Sequence, residues 1–477
     1  MSNDTILAIA TAPGAAGVGV IRVSGPLAVE LVAPFFVAED GKALGAQAPR
    51  YLAFGKLVDR QGALLDEALV VRFAAPHSFT GEDVVELQAH GGTFHLRRLV
   101  ELLLQAGQGL PGLVRLARPG EFTQRAFIAG KLDLTRAEAV ADLIQSGSEL
   151  SLEAAARQLA GGLHAVVDGL RQDVLGLLAE AEAACDFPEE EDQLAPRQAW
   201  ARRSADVQAR MQALLDTAGT GRMLTQGVRV AIAGAPNVGK SSLLNALAGE
   251  ERAIVSPEPG TTRDWLELRY QVQGFPIVLF DTAGLREAKG AVEAEGVRRA
   301  RQLAAEADLV LLVLDQARAF DPSQLELLHQ AHEEVLLVLN KSDLSPQWDM
   351  SDLRKALRPL RPQWLLPDAL SKRVLSVSAL KGAGLQALQA RMLDVALEGR
   401  AAQVLEQVLL TQSRHERAMR ASHEAMQRVR ESLAAEASAE FVAVDLRSAL
   451  DALGEIVGAT ARAEVVDEIF RRFCIGK

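Results

Sequence analysis

The octapeptide GAPNVGKS at residues 234–241 follows the apolar run RVAIA and opens the helix-forming run SSLLNALAG. The pattern GxxxxGK[ST] between a strand and a helix is typical of a P-loop. Its glycines let backbone N–H groups turn inward around phosphates, Lys240 neutralises β- and γ-oxygens, and the Ser241 hydroxyl can bind Mg²⁺. The stretch therefore predicts a nucleotide site on a strand–loop–helix unit, with Lys240 as a candidate catalytic residue.

Two motifs after the P-loop predict that the site senses a γ-phosphate. DTAG at residues 281–284 ends an apolar strand, where Asp281 can join the Mg²⁺ shell and the Gly284 backbone can approach the phosphate. GTTRD at residues 260–264 lies between the P-loop and that strand, and it offers Thr262 as a switch hydroxyl. The predicted Mg²⁺ ligands are therefore Ser241 and Thr262.

A third motif predicts which base is bound. Asn340-Lys341-Ser342-Asp343 ends another apolar strand, and the Asp343 carboxylate can accept hydrogen bonds from both N1–H and N2–H₂ of guanine, which adenine does not offer. Ser378 and Ala379 fit the loop on the base side, so the predicted nucleotide is GTP. The predicted GTP-binding residues are Asn237, Val238, Gly239, Lys240, Ser241, Ser242, Ser256, Thr261, Thr262, Asp281, Thr282, Ala283, Gly284, Asn340, Lys341, Asp343, Ser378 and Ala379.

The residue after DTAG is Leu285. Ras-like proteins carry a glutamine there that orients the attacking water, so this chain must position the water in another way. Arg263 and Arg286 are candidates for a catalytic cation by their location, although an exposed arginine in a switch is more often a solvated or interface residue. The motifs alone leave the catalytic device open.

Composition bounds the class of protein. The 477 residues exceed one ordinary domain, and 49% hydrophobic with 24% charged residues is a globular balance. A formal charge of −11 argues against coating nucleic acid through bulk charge. Only two cysteines, Cys185 and Cys474, exclude a disulfide framework and favour a reducing cytoplasm. The uncharged residues 5–21 contain Pro13 and three glycines, so we predict neither export nor a membrane span.

The pattern along the chain predicts four segments. Residues 1–130 alternate short aliphatic runs with turn residues and predict a mixed α/β domain. Residues 131–225 and 396–477 have helical composition, whereas residues 226–395 alternate buried strands with polar or helical stretches, as in βα units around a parallel sheet. The simplest architecture is a nucleotide domain inserted into a helical domain that both flanks build.

Motifs outside the nucleotide block carry a resemblance to a known family. They are GVGVIRVSG at 17–25, SFTGEDVVELQAHGG at 78–92, ARPGEFTQRAFIAGKLDLTRAEAVADLI at 117–144, and the terminal FCIGK at 473–477. Together with the GTPase motifs, they resemble the MnmE (TrmE) family of tRNA modification GTPases, in the TrmE-Era-EngA-YihA-Septin-like superfamily. The resemblance extends over essentially the full length of the chain.

The resemblance implies a fold and a function. The fold is an N-terminal α/β tetrahydrofolate-binding and dimerisation domain, a helical domain, and an inserted Ras-like P-loop GTPase domain. The function is a potassium-activated GTPase that acts with an MnmG (GidA) type FAD protein on tRNA, as a homodimer within a heterotetramer. The complex installs a carboxymethylaminomethyl or aminomethyl group at C5 of the wobble uridine, position 34, with a tetrahydrofolate one-carbon donor.

The resemblance also implies roles for individual residues. The folate derivative, 5-formyl or 5,10-methylene, is contacted by Arg22, Glu86, Lys131 and Lys477. Potassium takes the place of an arginine finger and is bound by Asn237, Ser256, Glu258 and Thr261. Glu293 orients the attacking water. Cys474 is a candidate catalytic nucleophile, with simple packing as the alternative, because a free cysteine is usually buried and inert.

Two competing functions have discriminating features. A ribosome-assembly switch of the Era/Der type usually carries an appended RNA-binding domain such as KH, and the sequence after the nucleotide block contains no GxxG loop. A folate-dependent methyltransferase with an inert nucleotide domain is disfavoured because the P-loop and base motifs are intact.

Overall fold

The computed structural model describes residues 4–186, 197–250, 267–281, 307–329, 334–366, 368–397, 407–471 and 473–476. The chain forms two compact units. The first comprises residues 1–141, 158–207 and 421–477, and the second comprises residues 142–157 and 208–420. Within the described ranges, no helix is both long enough and apolar enough to cross a membrane.

In the described part of the first unit, seven strands form one sheet with the order β3-β4-β5-β6-β2-β1-β7. They are β1 (Thr5–Ile9), β2 (Ala16–Ser24), β3 (Phe36–Ala38), β4 (Leu52–Val58), β5 (Leu64–Phe73), β6 (Val84–Gly91) and β7 (Val114–Leu116). All pairs are antiparallel except β1 with β7. One sheet face is buried against short helices, which explains the alternation of buried and exposed residues along β4.

Helices α1 (Ala28–Val32) and α2 (Thr93–Gly107) cover that face. Leu96, Leu99 and Leu103 recur at helical spacing on α2 and enter the same core as Leu87 of β6. Burial of this stripe against the sheet supplies the hydrophobic free energy that stabilises the first unit. A short helix, α3 (Glu121–Ile128), follows β7.

The described residues of the chain between α3 and β8 are mainly helical, as the composition predicts. Its helices are α4 (Leu134–Gln145), α5 (Glu149–Leu159), α6 (Gly162–Asp186), α7 (Arg197–Leu215) and α8 (Ala218–Gln226). After the second sheet the chain returns to helices, namely α12 (Ser413–Ala434), α13 (Ala439–Val457) and α14 (Ala463–Arg471). Within the first unit, α6 packs along α13, and Phe470 of α14 packs with Leu134.

In the described part of the second unit, six strands form a sheet with the order β13-β12-β11-β8-β10-β9. They are β8 (Val228–Ala233), β9 (Glu267–Val272), β10 (Phe275–Asp281), β11 (Leu309–Asp315), β12 (Val335–Asn340) and β13 (Val374–Ser376). All pairs are parallel except β9 with β10. Every residue of β11 and β12 is buried, as expected for strands covered on both faces.

In the described part of this unit, α9 (Lys240–Glu250) lies between β8 and β9, α10 (Met350–Leu357) lies between β12 and β13, and α11 (Leu385–Ala396) follows β13. Asp349 caps α10, because its side chain accepts hydrogen bonds from the backbone N–H groups of Ser351 and Asp352. The βα alternation and the single antiparallel edge strand confirm the predicted Ras-like α/β class for this part of the chain. The exact domain boundaries at 130, 225 and 395 stay predictions.

Candidate functional site

The P-loop joins β8 to α9 at the carboxyl edge of the second sheet. Gly234 and Gly239 have φ of 144° and 98°, a region that glycine adopts readily. A Cβ at Gly234 would collide with the Val313 carbonyl, and one at Gly239 would collide with the amide of Asn340. Only glycine fits at both positions, so the backbone forms the close cradle that a phosphate-binding loop requires.

Lys240 occupies the predicted position at the start of α9. Its side chain is largely buried, and its ammonium donates hydrogen bonds to the carbonyl oxygens of Gly234 (3.0 Å) and Ala235 (2.7 Å). These bonds hold the cation against the loop that would surround the phosphates. Ser241 follows on the same helix, and its neighbour Ser242 is exposed.

Asn340 connects the P-loop to the base-side loop. Its amide Nδ2 donates to the Val238 carbonyl at 2.9 Å, and its Oδ1 accepts from the Ala379 backbone N–H at 3.1 Å. The side chain is almost fully buried, so leaving either hydrogen bond unmade would cost about 1–3 kcal/mol. Asn340 therefore brings together three of the predicted GTP-binding segments.

Asp343 presents its carboxylate beside Ser378. The Ser378 hydroxyl donates to Asp343 Oδ1 at 2.6 Å, and the Lys381 backbone N–H donates to the same hydroxyl at 3.2 Å. The hydrogen bond from Ser378 lowers the pKa of the Asp343 carboxyl below its ordinary value. The group is thus an ionised acceptor near neutral pH, which suits recognition of the two donor groups of guanine.

Asp281 ends β10, directly beside the P-loop. In the parallel register of β10 and β8, Asp281 pairs with Ile232, two residues before Gly234. The backbone therefore carries this predicted Mg²⁺-shell residue to the phosphate end of the site. The predicted residues Ser256, Glu258, Thr261, Thr262, Thr282, Ala283, Gly284 and Glu293, and the candidates Arg263 and Arg286, lie outside the described residues.

A second site is predicted in the first unit, where Arg22 and Glu86 pair. They face each other in the antiparallel register of β2 and β6, and Arg22 Nε lies 2.8 Å from Glu86 Oε1. The Arg22 guanidinium also lies 5.5 Å from the ring centroid of Phe79 and 5.6 Å from that of Phe122. The sequence did not reveal these aromatic neighbours, because the contacts of Arg22 with Phe79 and Phe122 depend on tertiary packing.

Lys131 follows α3, where its backbone N–H donates to the Ala126 carbonyl at 2.9 Å. Its side chain lies next to Gly81, since a Cβ at Gly81 would stand 3.6 Å from Lys131 Cε. Gly81 has a φ of 80° and belongs to the same loop as Phe79. Lys131 and the Arg22 group therefore contact one loop, which brings three of the predicted folate residues toward one region.

The terminal segment reaches the same region of the first unit. The Cys474 carbonyl accepts a hydrogen bond from Gly120 N–H at 3.4 Å, and Gly476 packs so closely against Ile9 that a Cβ there would collide with its carbonyl. Ile9 pairs with Ile21, the residue before Arg22. The Cys474 residue is exposed and its thiol is free, while Lys477 lies outside the described residues.

A buried ionic cluster fixes α3, which carries Phe122. Glu121 accepts hydrogen bonds from both Arg115 and Arg125, and Arg125 also binds Asp4 and Glu82. Burial by itself would raise the pKa of Glu121, but the hydrogen bonds from Arg115, from the Arg118 backbone and from Arg125 lower it to about 2. Glu121 therefore stays ionised at neutral pH, and its ion pairs anchor the turn against which the terminal segment packs.

Comparisons with known proteins bear on both sites. The family model described as "GTP-binding protein TrmE N-terminus" matches residues 5–131, and that described as "MnmE helical domain" matches residues 134–474. The "tRNA modification GTPase MnmE" proteins of Symbiobacterium thermophilum and Moorella thermoacetica are each 42% identical to this chain, with 100% of both chains covered. The FeoB G domain of T. maritima is 31% identical over 35% of this chain and 98% of its own, with a TM-score of 0.26.

The two family models meet near residue 132, close to the boundary between the α/β and helical segments. One of them spans more than half of the chain, and the relatives match it from end to end. This chain belongs to the MnmE (TrmE) family, whose curated relatives are named tRNA modification GTPases.

Proposed function

We propose that this protein is a potassium-activated GTPase of tRNA modification. The guanine site carries the proposal: Asn340 hydrogen-bonds to both the P-loop and Ala379, and the Ser378 hydroxyl donates a hydrogen bond to the Asp343 carboxylate. That arrangement offers acceptors for guanine and a glycine cradle for its phosphates. The identity to MnmE relatives over the whole chain supports the connection to tRNA.

In the proposed site, Lys240 and the backbone N–H groups of the P-loop bind the phosphates. Ser241 and Thr262 would hold Mg²⁺, with Asp281 as a further candidate for its ligand shell. Glu293 orients the attacking water, because Leu285 replaces the glutamine that performs this task in Ras-like proteins. Bound Mg²⁺ neutralises charge that develops on the phosphate oxygens.

Potassium is proposed as the substitute for an arginine finger. Asn237 is its P-loop ligand, and Ser256, Glu258 and Thr261 complete the set. Asn237 has a φ of 63°, in the left-handed region that asparagine adopts more readily than most residues, so the P-loop turns at this position. A monovalent cation held by these residues would stabilise the negative charge that grows on the phosphates during hydrolysis.

The first unit is proposed to bind a 5-formyl or 5,10-methylene tetrahydrofolate, which supplies the one-carbon unit when bound. Glu86 can accept hydrogen bonds from the pterin, and Arg22, paired with Glu86 and flanked by Phe79 and Phe122, lies at that same end. Lys131 and Lys477 are then the cations available for the glutamate tail. Cys474, whose backbone carbonyl accepts a hydrogen bond from the Gly120 N–H, is proposed as the nucleophile.

The assembly is proposed to be a homodimer that joins an MnmG (GidA) type FAD protein in a heterotetramer in the cytoplasm. The GTP cycle would control its conformation, while the folate would supply carbon to C5 of the wobble uridine. The product is a carboxymethylaminomethyl or aminomethyl group at position 34 of certain tRNAs.

GTP turnover tests the potassium part of this proposal. We expect turnover to be at least about tenfold faster in KCl than in NaCl at equal ionic strength, because Na⁺ is too small for a site shaped for K⁺ and leaves the transition-state charge less well stabilised. Asn237→Ala should remove the difference between the salts. Glu293→Ala should lower kcat by about 10²-fold or more while a fluorescent GDP analogue still binds.

Equal turnover in the two salts would contradict the potassium model and favour Arg263 or Arg286 as the catalytic cation. Asp349→Asn is a suitable control, since it removes one carboxylate from the same unit but keeps a good helix cap on α10. Its ratio of rates in KCl and NaCl should equal that of the unaltered protein.

A further inference from the structure

An acidic residue outside the predicted nucleotide-binding motifs lies next to the Asn340–Asp343 motif of the second unit. Asp315 is the last residue of β11, and its side chain is 3% exposed. In the parallel register of β11 and β12 it pairs with Asn340, the first residue of the Asn340–Asp343 motif. The fold thus brings a buried carboxylate to the strand end from which the base-binding loop begins.

The Asp315 carboxylate is already bound to the motif. Its Oδ2 lies 2.6 Å from the ammonium of Lys341, and its Oδ1 accepts from the Ala317 backbone N–H at 2.9 Å. Lys341 itself donates to the Asn237 carbonyl at 3.3 Å. The Lys341 ammonium therefore contacts both the carboxylate at the end of β11 and a backbone carbonyl of the P-loop.

The backbone conformation of Lys341 explains why its ion pair with Asp315 matters for nucleotide binding. Lys341 has a φ of 64°, an uncommon value for a residue with a side chain, and its long stem would lose rotamer freedom when fixed. A buried carboxylate offsets that cost, because a charge-assisted hydrogen bond is roughly twice as strong as a neutral one. The pair fixes Lys341 before the nucleotide arrives, which lowers the entropy lost on binding.

We propose that Asp315 is a positioning residue of the nucleotide site, which holds Lys341 in place for the guanine nucleotide and, through Lys341, fixes the carbonyl of Asn237. This rests on the proposed function in taking Lys341 as a GTP-binding residue and Asn237 as a potassium ligand. Asp315 does not contact the reacting atoms. It acts by connecting the base side of the site to the P-loop.

Asp315→Asn tests the proposal, because asparagine has nearly the same shape and keeps an acceptor for the Ala317 N–H but carries no charge. We expect the Kd of N-methylanthraniloyl-GDP to rise about tenfold, the lower range for loss of a charge-assisted hydrogen bond. GTP and ITP should weaken by the same factor, since Lys341 does not read the guanine amino group. In KCl the loss should fall on KM rather than kcat.

Two controls separate positioning from simple destabilisation. Trp348→Phe removes the hydrogen bond that the Trp348 indole donates to the Asp315 backbone carbonyl at 3.0 Å, but leaves the carboxylate intact. It should lower Tm without changing the Kd of the GDP analogue. Arg318→Ala removes an exposed cation 3.5 Å from Asp315 Oδ2 and should change neither quantity.

A double-mutant cycle gives the most specific readout. In a Lys341→Ala background, Asp315→Asn should change the Kd by less than about twofold, because residues that act through one contact are not additive. An unchanged Kd for Asp315→Asn alone, or a full tenfold effect in the Lys341→Ala background, would overturn the proposal. Because binding of the GDP analogue requires no hydrolysis, this result stands apart from the outcome of the potassium test.

Discussion

Asp343→Asn is expected to change the nucleotide preference of this protein from GTP to xanthosine triphosphate. The ratio of its affinities for these two nucleotides should change by about 10³-fold or more. Guanine presents two donors, N1–H and N2–H₂, and an ionised carboxylate accepts both. Asparagine keeps one acceptor and adds an NH₂ donor, which matches the carbonyl that xanthine carries at C2. A site built for hydrogen bonds discriminates strongly, because a mismatch leaves buried polar groups unpaired.

Competition between GTP and xanthosine triphosphate for bound fluorescent GDP would measure this exchange. Ser378→Ala is the informative companion, since it keeps the carboxylate but removes the 2.6 Å hydrogen bond to Asp343. The carboxylate then loses the hydrogen bond that holds it in place but stays ionised at neutral pH, so affinity should fall while GTP stays preferred. If Asp343→Asn still prefers GTP, the base site has been assigned to the wrong residues.

Removal of residues 474–477 is expected to abolish tRNA modification while GTP turnover stays within about twofold. The cut leaves Phe473 in place, because its ring packs with Phe470 and Leu134 in a buried cluster. What is lost is the segment that contacts Gly120 and Ile9 beside Arg22. If Lys477 contacts the folate tail, removal of a charged partner should weaken folate binding by at least about tenfold.

Calorimetry with 5-formyltetrahydrofolate on the full-length and shortened proteins would measure that loss. Two point variants test separately whether the terminal segment contributes to folate binding and to catalysis. Lys477→Ala should weaken folate binding, whereas Cys474→Ser should leave it unchanged and stop modification if the thiol is a nucleophile. Equal folate affinity of the full-length and shortened proteins would exclude the terminal segment from the site.

Local sequence predicted that the P-loop and the Asn340–Asp343 motif lie together, while the roles of their residues in nucleotide binding stay predictions. The P-loop and the Asn340–Asp343 motif each sit at the end of an apolar strand, and parallel strands place their carboxyl ends along one edge. Their convergence, through Asn340 bonded to Val238 and Ala379, therefore follows from the βα pattern.

Contacts that depend on register between distant strands were not predictable. Asp315 ends the run DLVLLVLD, and a carboxylate at the end of a buried strand was the one sign in the sequence that it could have a role. That Asp315 contacts Lys341 is shown only by the pairing of β11 with β12, which places Asp315 opposite Asn340. The Arg22–Glu86 pair likewise depends on the alignment of β2 with β6. The family resemblance named both residues but not their contact or their aromatic neighbours.

We propose that this GTPase is needed to modify the wobble uridine of tRNA. Mass spectrometry of tRNA nucleosides, from cells that lack the protein and from the same cells with the gene restored, would test this proposal. We expect the carboxymethylaminomethyl or aminomethyl group at C5 to disappear without the protein, to return with the intact chain, and not to return with the form that lacks residues 474–477. An unchanged set of wobble nucleosides in cells without the protein would show that the protein is not needed for this modification and would favour a GTP-controlled switch of the Era/Der type.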